Sequence, residues 1–96
     1  MKDAGRNRFT LPHVQMLQGR YEWLSGRPKK AQDWWARALA QAEAAGMRYE
    51  EGVIHLEIGR RIGDRNHLLT AESILGEIGA EFDLAAAREA LAKLGE

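Results

Sequence analysis

The sequence contains no cysteine, and this absence removes several kinds of chemistry. Without thiols the chain has no disulfide framework, no thiolate zinc site and no cysteine nucleophile, and it suits a reducing cytoplasm. It also lacks any apolar run near the roughly 18 residues that a membrane-spanning helix requires. The opening residues, MKDAGRNRF, carry no apolar signal core. We therefore expect a cytoplasmic protein that makes no membrane contact.

Net charge is absent as well, because 14 basic residues balance 14 acidic ones. A strongly basic domain would have indicated nucleic acid as the partner, and this chain is not one. The charge is uneven, however: residues 1–30 contain seven basic and two acidic residues, a net +5, so residues 31–96 carry −5. We interpret the basic segment as a solvated tail and loop, with residues 1–10 forming a flexible N-terminal tail.

Glycine and proline divide a chain whose apolar residues follow helical periodicity. Thr10 is placed to cap a first helix, Pro28 suits the first turn of a second, and Gly46 suits the left-handed position after it. The length fits one small domain. The spacing predicts an all-α domain over residues 11–96, with helices at about 11–25, 28–45, 48–62, 65–78 and 81–94.

Two kinds of helix are predicted. The second and fourth each have one apolar face, made of Ala31, Trp34, Trp35, Ala38, Leu39, Ala42 and Ala45 in the second and of Leu68, Ala71, Ile74, Leu75 and Ile78 in the fourth. The first and third helices are apolar on two sides. In the first helix, one side carries Val14, Leu17, Tyr21 and Leu24 and the other carries Met16 and Trp23. In the third helix, one side carries Tyr49, Val53 and Leu56 and the other carries Ile54, Ile58 and Ile62. A helix that is apolar on two sides should lie between neighbours, as in a stack of helical hairpins.

A comparison of the chain with itself reveals a repeat when Gly19 is placed on Gly52. In the same alignment Trp35 falls on Leu68, and GMRYEE falls on GAEFDL. One offset thus aligns glycines, apolar positions and aromatic residues. It predicts two hairpins followed by a fifth helix that begins a third unit.

In these features the chain, over about residues 11–94, resembles the tetratricopeptide family, whose repeat is about 34 residues long. Gly19 stands at the family's position for a small residue of helix A, and Ala31, Trp35 and Ala38 stand at its alanine, aromatic and alanine positions of helix B. The phrases GMRYEEGVIHLEIGRR and HLLTAESILGEIGAEFDLAAAREAL resemble the repeat tails of large bacterial signalling proteins with ATPase and cyclase or kinase domains. The resemblance implies an antiparallel hairpin array with a C-terminal capping helix, wound into a right-handed superhelix.

The second hairpin departs from the family pattern. Asp64 stands where the second repeat should have its alanine. If Gly59, instead of Gly52, is taken as the counterpart of Gly19, the alanine is restored at Ala71. We therefore expect the inner loop of the second hairpin to be shifted by a helical turn.

No spacing in the chain indicates catalysis or a metal site. His55 and Glu51 stand one helical turn apart, so both share one helical face, yet neither HExxH nor Glu-x-x-His occurs. His13 and His67 lie near helix starts, where surface or capping roles are usual. Glu50 and Glu51 lie in the first turn of a helix, where the helix dipole stabilises negative charge. We therefore predict a non-enzymatic chain with no cofactor and no metal.

The family resemblance implies a function in protein recognition, through a groove that the inner helices line. The polar positions of those helices, together with a tryptophan at the border of the second helix's buried face, are the candidate partner contacts: Gln15, Gln18, Arg20, Glu22, Glu51, His55, Glu57 and Trp34. Apolar residues also cover more of the fifth helix than a solvent-facing cap requires. The candidate self-association residues are Met16, Trp23, Leu84, Leu91 and Leu94.

Our leading hypothesis is a protein–protein interaction or scaffolding module, a C-terminal regulatory part of a larger bacterial signalling protein. Its partner would be a protein, a peptide or a neighbouring domain of the parent chain. Two alternatives stay open. One is a self-standing homo-oligomerisation module, such as a homodimer. The other is an RNA-binding helical repeat, with the basic segment at residues 27–30 beside Trp23 and Trp34 as its contact.

Overall fold

The computed structural model describes residues 11–95, and every regular element in that range is an α-helix. The predicted all-α class is confirmed. The predicted bounds agree with the observed ones except that the first and fourth helices each end one residue earlier. The predicted tail and the Thr10 cap lie outside the described residues. The five helices are α1 (Leu11–Leu24), α2 (Pro28–Ala45), α3 (Arg48–Ile62), α4 (Arg65–Glu77) and α5 (Glu81–Leu94).

The chain divides into two compact units, Met1–Gly46 and Met47–Glu96. The first unit contains α1 and α2, and the second contains α3, α4 and α5. The boundary follows Gly46, the residue that the sequence predicts to end the second helix. The two units are described separately.

The helix ends follow from local backbone chemistry. Gly46 and Gly63 have φ angles of 68° and 69° and end α2 and α3 in the left-handed region, which residues with a Cβ rarely adopt. At the start of α4, the Asp64 carboxylate accepts a hydrogen bond of 3.2 Å from the His67 backbone N–H. This side-chain cap satisfies a donor that the first helical turn leaves without a partner.

In the first unit, α1 and α2 form an antiparallel pair that is closely packed at Gly19. A Cβ at this position would lie 2.5 Å from Cδ1 of Trp35, so only glycine admits the indole ring. The Trp35 Nε1–H donates a hydrogen bond of 3.2 Å to the carbonyl oxygen of Met16. Trp35 is 1% exposed, and Ala31 and Ala38 beside it are fully buried. The tryptophan and the small residues therefore form the core of this hairpin.

In the second unit, α3 and α4 form another antiparallel pair. Cβ atoms placed on Gly52 and Gly59 would lie 2.8 and 2.6 Å from the Leu75 and Leu68 side chains. Helix α5 packs onto the same apolar cluster, where Leu84 and Leu91 are half-buried. The buried members of this cluster are Leu56, Leu68, Ala71, Leu75 and Ala87.

Polar contacts join the helices of the second unit at its rim. These exposed contacts stabilise a fold only modestly, so the apolar cluster carries most of the packing energy. The hydrogen bond to Asp83 raises the pKa of Tyr49 above its usual range. The contacts run from Arg48 Nη2 to Glu77 (2.6 Å), from Tyr49 Oη to Asp83 (2.7 Å) and from Arg88 Nε to Glu72 (3.2 Å).

The single repeat offset that the sequence predicts does not describe the packing of the two hairpins. That offset, which places Gly19 on Gly52, also places Trp35 on Leu68, yet Gly52 and Leu68 do not face each other. Taking Gly59 as the counterpart of Gly19 fails as well. That register would place Leu75 opposite Gly59, whereas Gly59 faces Leu68. Neither predicted register therefore reproduces the contacts of the second hairpin. The glycines and the large side chains that they face are Gly19 with Trp35, Gly52 with Leu75, and Gly59 with Leu68.

Burial corrects two expectations about helical faces and agrees with a third. Helix α1 is buried on one side, not on two, because Met16 lies in the core while the opposite apolar side is exposed. Ala45 and Ile78, predicted on buried faces, are exposed because they lie at helix ends. Helix α3 has buried residues on both predicted sides, with Ile54 1% and Leu56 6% exposed, although Tyr49 near its start is 46% exposed.

Candidate interaction surface

One side of α1 presents four large side chains to solvent, and we call this set the α1 stripe. Spacings of three, four and three positions place all four on one helical face. That face is opposite the one that carries Gly19 against α2. The stripe consists of Val14, Leu17, Tyr21 and Leu24, which are 53, 41, 58 and 70% exposed.

Basic groups lie at the C-terminal end of the α1 stripe. The Arg27 guanidinium carbon lies 5.8 Å from the ring centroid of Tyr21, within cation–π range. Lys29 and Lys30 are exposed in the first turn of α2. The stripe thus combines an apolar face with a positively charged end.

The four predicted groove residues of α1 do not share one environment. Gln15 and Glu22 are buried, whereas Gln18 and Arg20 are half-buried. The Glu22 carboxylate forms an ion pair with Arg27, whose hydrogen bond holds the pKa of Glu22 below its usual range. Glu22 is therefore a buried carboxylate with its own cation, which corrects its prediction as an open partner contact.

Gln15 presents a polar atom without a partner among the described residues. Its Oε1 atom is buried and accepts no hydrogen bond from them. The side chain borders an open cleft of about 340 Å³. The other residues that line this cleft are Arg37, Ala40, Gln41 and Ala44 of α2.

The predicted groove residues of α3 are also largely withdrawn from solvent. Glu51 is 8% exposed and bonded to Arg48 at 3.1 Å, and Glu57 is 3% exposed and bonded to Arg61 at 3.0 Å. A buried carboxylate is tolerated when a cation and hydrogen bonds compensate its lost hydration. These two side chains are therefore structural in the described chain, contrary to the predicted exposure.

His55 forms a contact that the sequence interpretation missed. Its Nδ1 atom lies 2.8 Å from Nδ1 of His67 on α4, and the two ring centroids are 5.0 Å apart. Burial lowers the pKa of His55, and the charge of His67 lowers it further, whereas Glu51 opposes both effects. The sequence carries no signal for this contact. The two histidines lie on different helices, and only the register of the α3–α4 pair brings them together.

The two tryptophans that we considered for nucleic-acid stacking are already in contact with other side chains. The ring centroids of Trp23 and Trp35 are 5.8 Å apart. Trp34 is half-buried, and the Arg37 guanidinium carbon lies 4.8 Å from its ring centroid. Trp34 and Arg37 also line an open cleft of about 330 Å³, together with Glu22, Lys30 and Asp33.

The predicted self-association residues are mostly used inside the units. Met16 is 4% exposed and Trp23 is half-buried. Leu84 and Leu91 pack on the core of the second unit, and only Leu94 is exposed, at 40%. Sequence periodicity showed that α1 and α5 have surplus apolar residues but, except for Leu94, assigned the surplus to side chains that are buried or half-buried. The exposed large apolar residues are the α1 stripe and, on α5, Phe82 at 88% and Leu94 at 40%.

Within residues 11–95, no group of three or more His, Cys, Asp or Glu side chains is arranged to hold a metal ion. None of the described helices combines the length and apolarity needed to cross a bilayer. The α1 stripe is a set of four exposed large side chains on one face of one helix. Comparison of the chain with protein-family models, with curated proteins and with solved structures finds no match.

Proposed function

We propose that this chain is a non-catalytic protein–protein interaction module whose contact surface is the α1 stripe. The observation that carries the proposal is the exposure of four large side chains on one face of a single helix. Singly scattered apolar residues are normal on a protein surface, whereas a contiguous set marks an interaction site. The stripe also contains Tyr21 with Arg27 beside its ring, and tyrosine and arginine are both enriched in binding hot spots.

We further propose that the architecture is a tetratricopeptide-like hairpin array and a regulatory part of a larger bacterial signalling protein. Support comes from the first hairpin, where Gly19 admits Trp35 between Ala31 and Ala38. The right-handed superhelix belongs to the same proposal. The different register of the second hairpin is its main departure from a regular repeat.

We favour protein over nucleic acid as the partner. Base stacking requires accessible aromatic faces beside basic groups. Trp23 is packed against Trp35, and Trp34 is covered by Arg37. The exposed ring beside Arg27 is that of Tyr21, whose neighbours on the stripe are aliphatic side chains and not a second ring on which another base could stack.

The proposal can be tested by quantitative affinity purification from cells of the source organism. The full chain is compared with the double variant Leu17→Glu/Leu24→Glu, which places two charges in the stripe without touching the hairpin core. Leu69→Glu is the matched control, because Leu69 is 43% exposed on α4. We expect specific partners to be retained by the wild type and by Leu69→Glu, and to be lost from the stripe variant.

Sedimentation velocity on the same three proteins distinguishes the homo-oligomerisation alternative. A wild-type dimer that the stripe variant converts into a monomer would replace the partner hypothesis by self-association. If the wild type and both variants retain the same set of cellular proteins, while all three are monomeric and give equal helical circular dichroism, the proposed function is refuted.

A further inference from the structure

The α1 stripe has the spacing of a coiled-coil seam. Its four positions repeat at steps of three, four and three, which is the a and d pattern of two successive heptads. All four side chains lie within the single helix α1. An extended peptide presents side chains with a period of two and cannot match this pattern. A second helix can match it, because its own a and d residues insert between those of the stripe.

The stripe also limits the length of a partner. The ten helical steps from Val14 to Leu24 span about 15 Å. Two heptads of a facing helix cover that distance. Four exposed side chains are far fewer than the roughly 20–30 residues per side of a stable interface, so the contact of one helix with this stripe is of moderate affinity.

Charge around the stripe selects among possible helices. Residues 21–30 contain three basic residues (Arg27, Lys29 and Lys30) and one acidic one, a formal net charge of +2. The acidic residue, Glu22, is buried and paired with Arg27. A second copy of this chain would bring an equally basic surface to the contact. A helix with acidic flanking residues would instead meet complementary charge, which favours association with that class of partner.

We infer that the α1 stripe binds one amphipathic helix of another protein chain, with leucine-like residues at heptad spacing and acidic flanking residues where it meets the basic end of the stripe. This inference rests on the proposed function and names the class of its partner. Because Arg27 is paired with Glu22, the exposed Lys29 and Lys30 supply the uncompensated positive charge that meets the acidic residues.

The test uses three synthetic peptides of three heptads. The first has leucine at a and d and glutamate at e and g, the second has lysine at e and g, and the third is the first peptide with a central proline that breaks the helix. Fluorescence anisotropy with the full chain should show the glutamate peptide binding at least about tenfold more tightly than either of the others, a difference of roughly 1.4 kcal/mol. Leu17→Glu/Leu24→Glu should abolish this binding.

Two further measurements make the inference falsifiable. Lys29→Glu/Lys30→Glu should weaken binding of the glutamate peptide and strengthen binding of the lysine peptide. Leu69→Glu should change neither affinity. Equal binding of the helical and proline-broken peptides, or of the two charge types, would overturn the inference. A wild-type dimer that the glutamate peptide does not dissociate would overturn it as well.

The outcomes separate this inference from the proposed function. If no peptide binds but the affinity purification finds stripe-dependent partners, the helix class is wrong and the function stands. If the glutamate peptide binds but no cellular protein depends on the stripe, the seam exists and the proposed function fails.

Discussion

The Nδ1 atoms of His55 and His67 lie 2.8 Å apart, so the two imidazoles share one hydrogen bond between α3 and α4. One ring must donate through Nδ1–H while the other accepts. If both rings were fully protonated, two N–H groups and two positive charges would face each other. Burial and the charge of His67 both lower the pKa of His55, in agreement with this geometry.

The stability of the second unit should therefore decrease in mild acid. The pKa of His55 is ordinarily 6.5 and is lower in the folded chain, so the unfolded chain binds protons more readily below that pH. The free energy of unfolding should be constant above about pH 7 and should fall as the pH drops below about 6.5. Hydrogen exchange of the α3 and α4 amides between pH 7 and pH 5 measures this loss.

His55→Gln should remove most of that pH dependence, because glutamine does not titrate. His13→Gln is the matched control, since His13 is exposed on α1. Glu22, whose pKa is lowered, contributes to stability in a separate pH range. That contribution to the free energy of unfolding is lost only as the pH falls below about 4.5. Unchanged acid sensitivity in His55→Gln would show that the histidine pair is not its cause.

Trp35→Ala should cost about 3–5 kcal/mol of unfolding free energy, because it empties the centre of the α1–α2 pair and removes the bond to Met16. Trp34→Ala should cost only about 1 kcal/mol, because Trp34 is half-buried and its named contact is with Arg37. Urea denaturation followed by circular dichroism measures both. Equal costs would contradict the different roles of the adjacent rings.

Gly19→Ala should destabilise the first hairpin by about 1–3 kcal/mol, because the added methyl group would displace the Trp35 ring. Gly76→Ala provides the opposite case. Its Cβ would meet Leu84 at an ordinary 3.9 Å, so the gain in helix propensity should stabilise α4 by about 0.5–1 kcal/mol. Thermal unfolding should move in opposite directions for the two variants, and a shift of the same sign would contradict this packing.

Asp64→Ala should cost about 1 kcal/mol, because it removes the side-chain cap on the His67 N–H. Asp64→Asn retains an acceptor oxygen and should recover most of that loss. Asp33→Ala, at an exposed position in α2, should change the unfolding free energy by less than about 0.5 kcal/mol. A loss in Asp33→Ala as large as that in Asp64→Ala would indicate a general charge effect instead of capping.

Local signals were sufficient to locate the helices. Pro28 at a helix start and Gly46 and Gly63 at helix ends act through the backbone of a few neighbouring residues, so their effects can be read from the chain. Periodicity likewise identified Trp35 as core, because its spacing with Ala31 and Ala38 places all three on one face.

The candidate site was predicted less well, because exposure depends on which neighbour a face meets. Periodicity found two apolar sides on α1 but could not tell that Met16 is buried and Leu24 is 70% exposed. The polar residues Glu51 and Glu57 were placed in a groove, although each is buried beside an arginine. Sequence spacing shows which side of a helix a residue occupies, but not which element packs against that side.

By itself, the sequence determined the helical class, the helix bounds and the identity of the tryptophan that fills the first hairpin, since these depend on backbone preferences and on spacing within one helix. Only the tertiary structure decided the register of the second hairpin, the pairing of His55 with His67 and the exposure of the α1 stripe. These three features depend on how far one helix slides along another, which side-chain volumes across the interface determine.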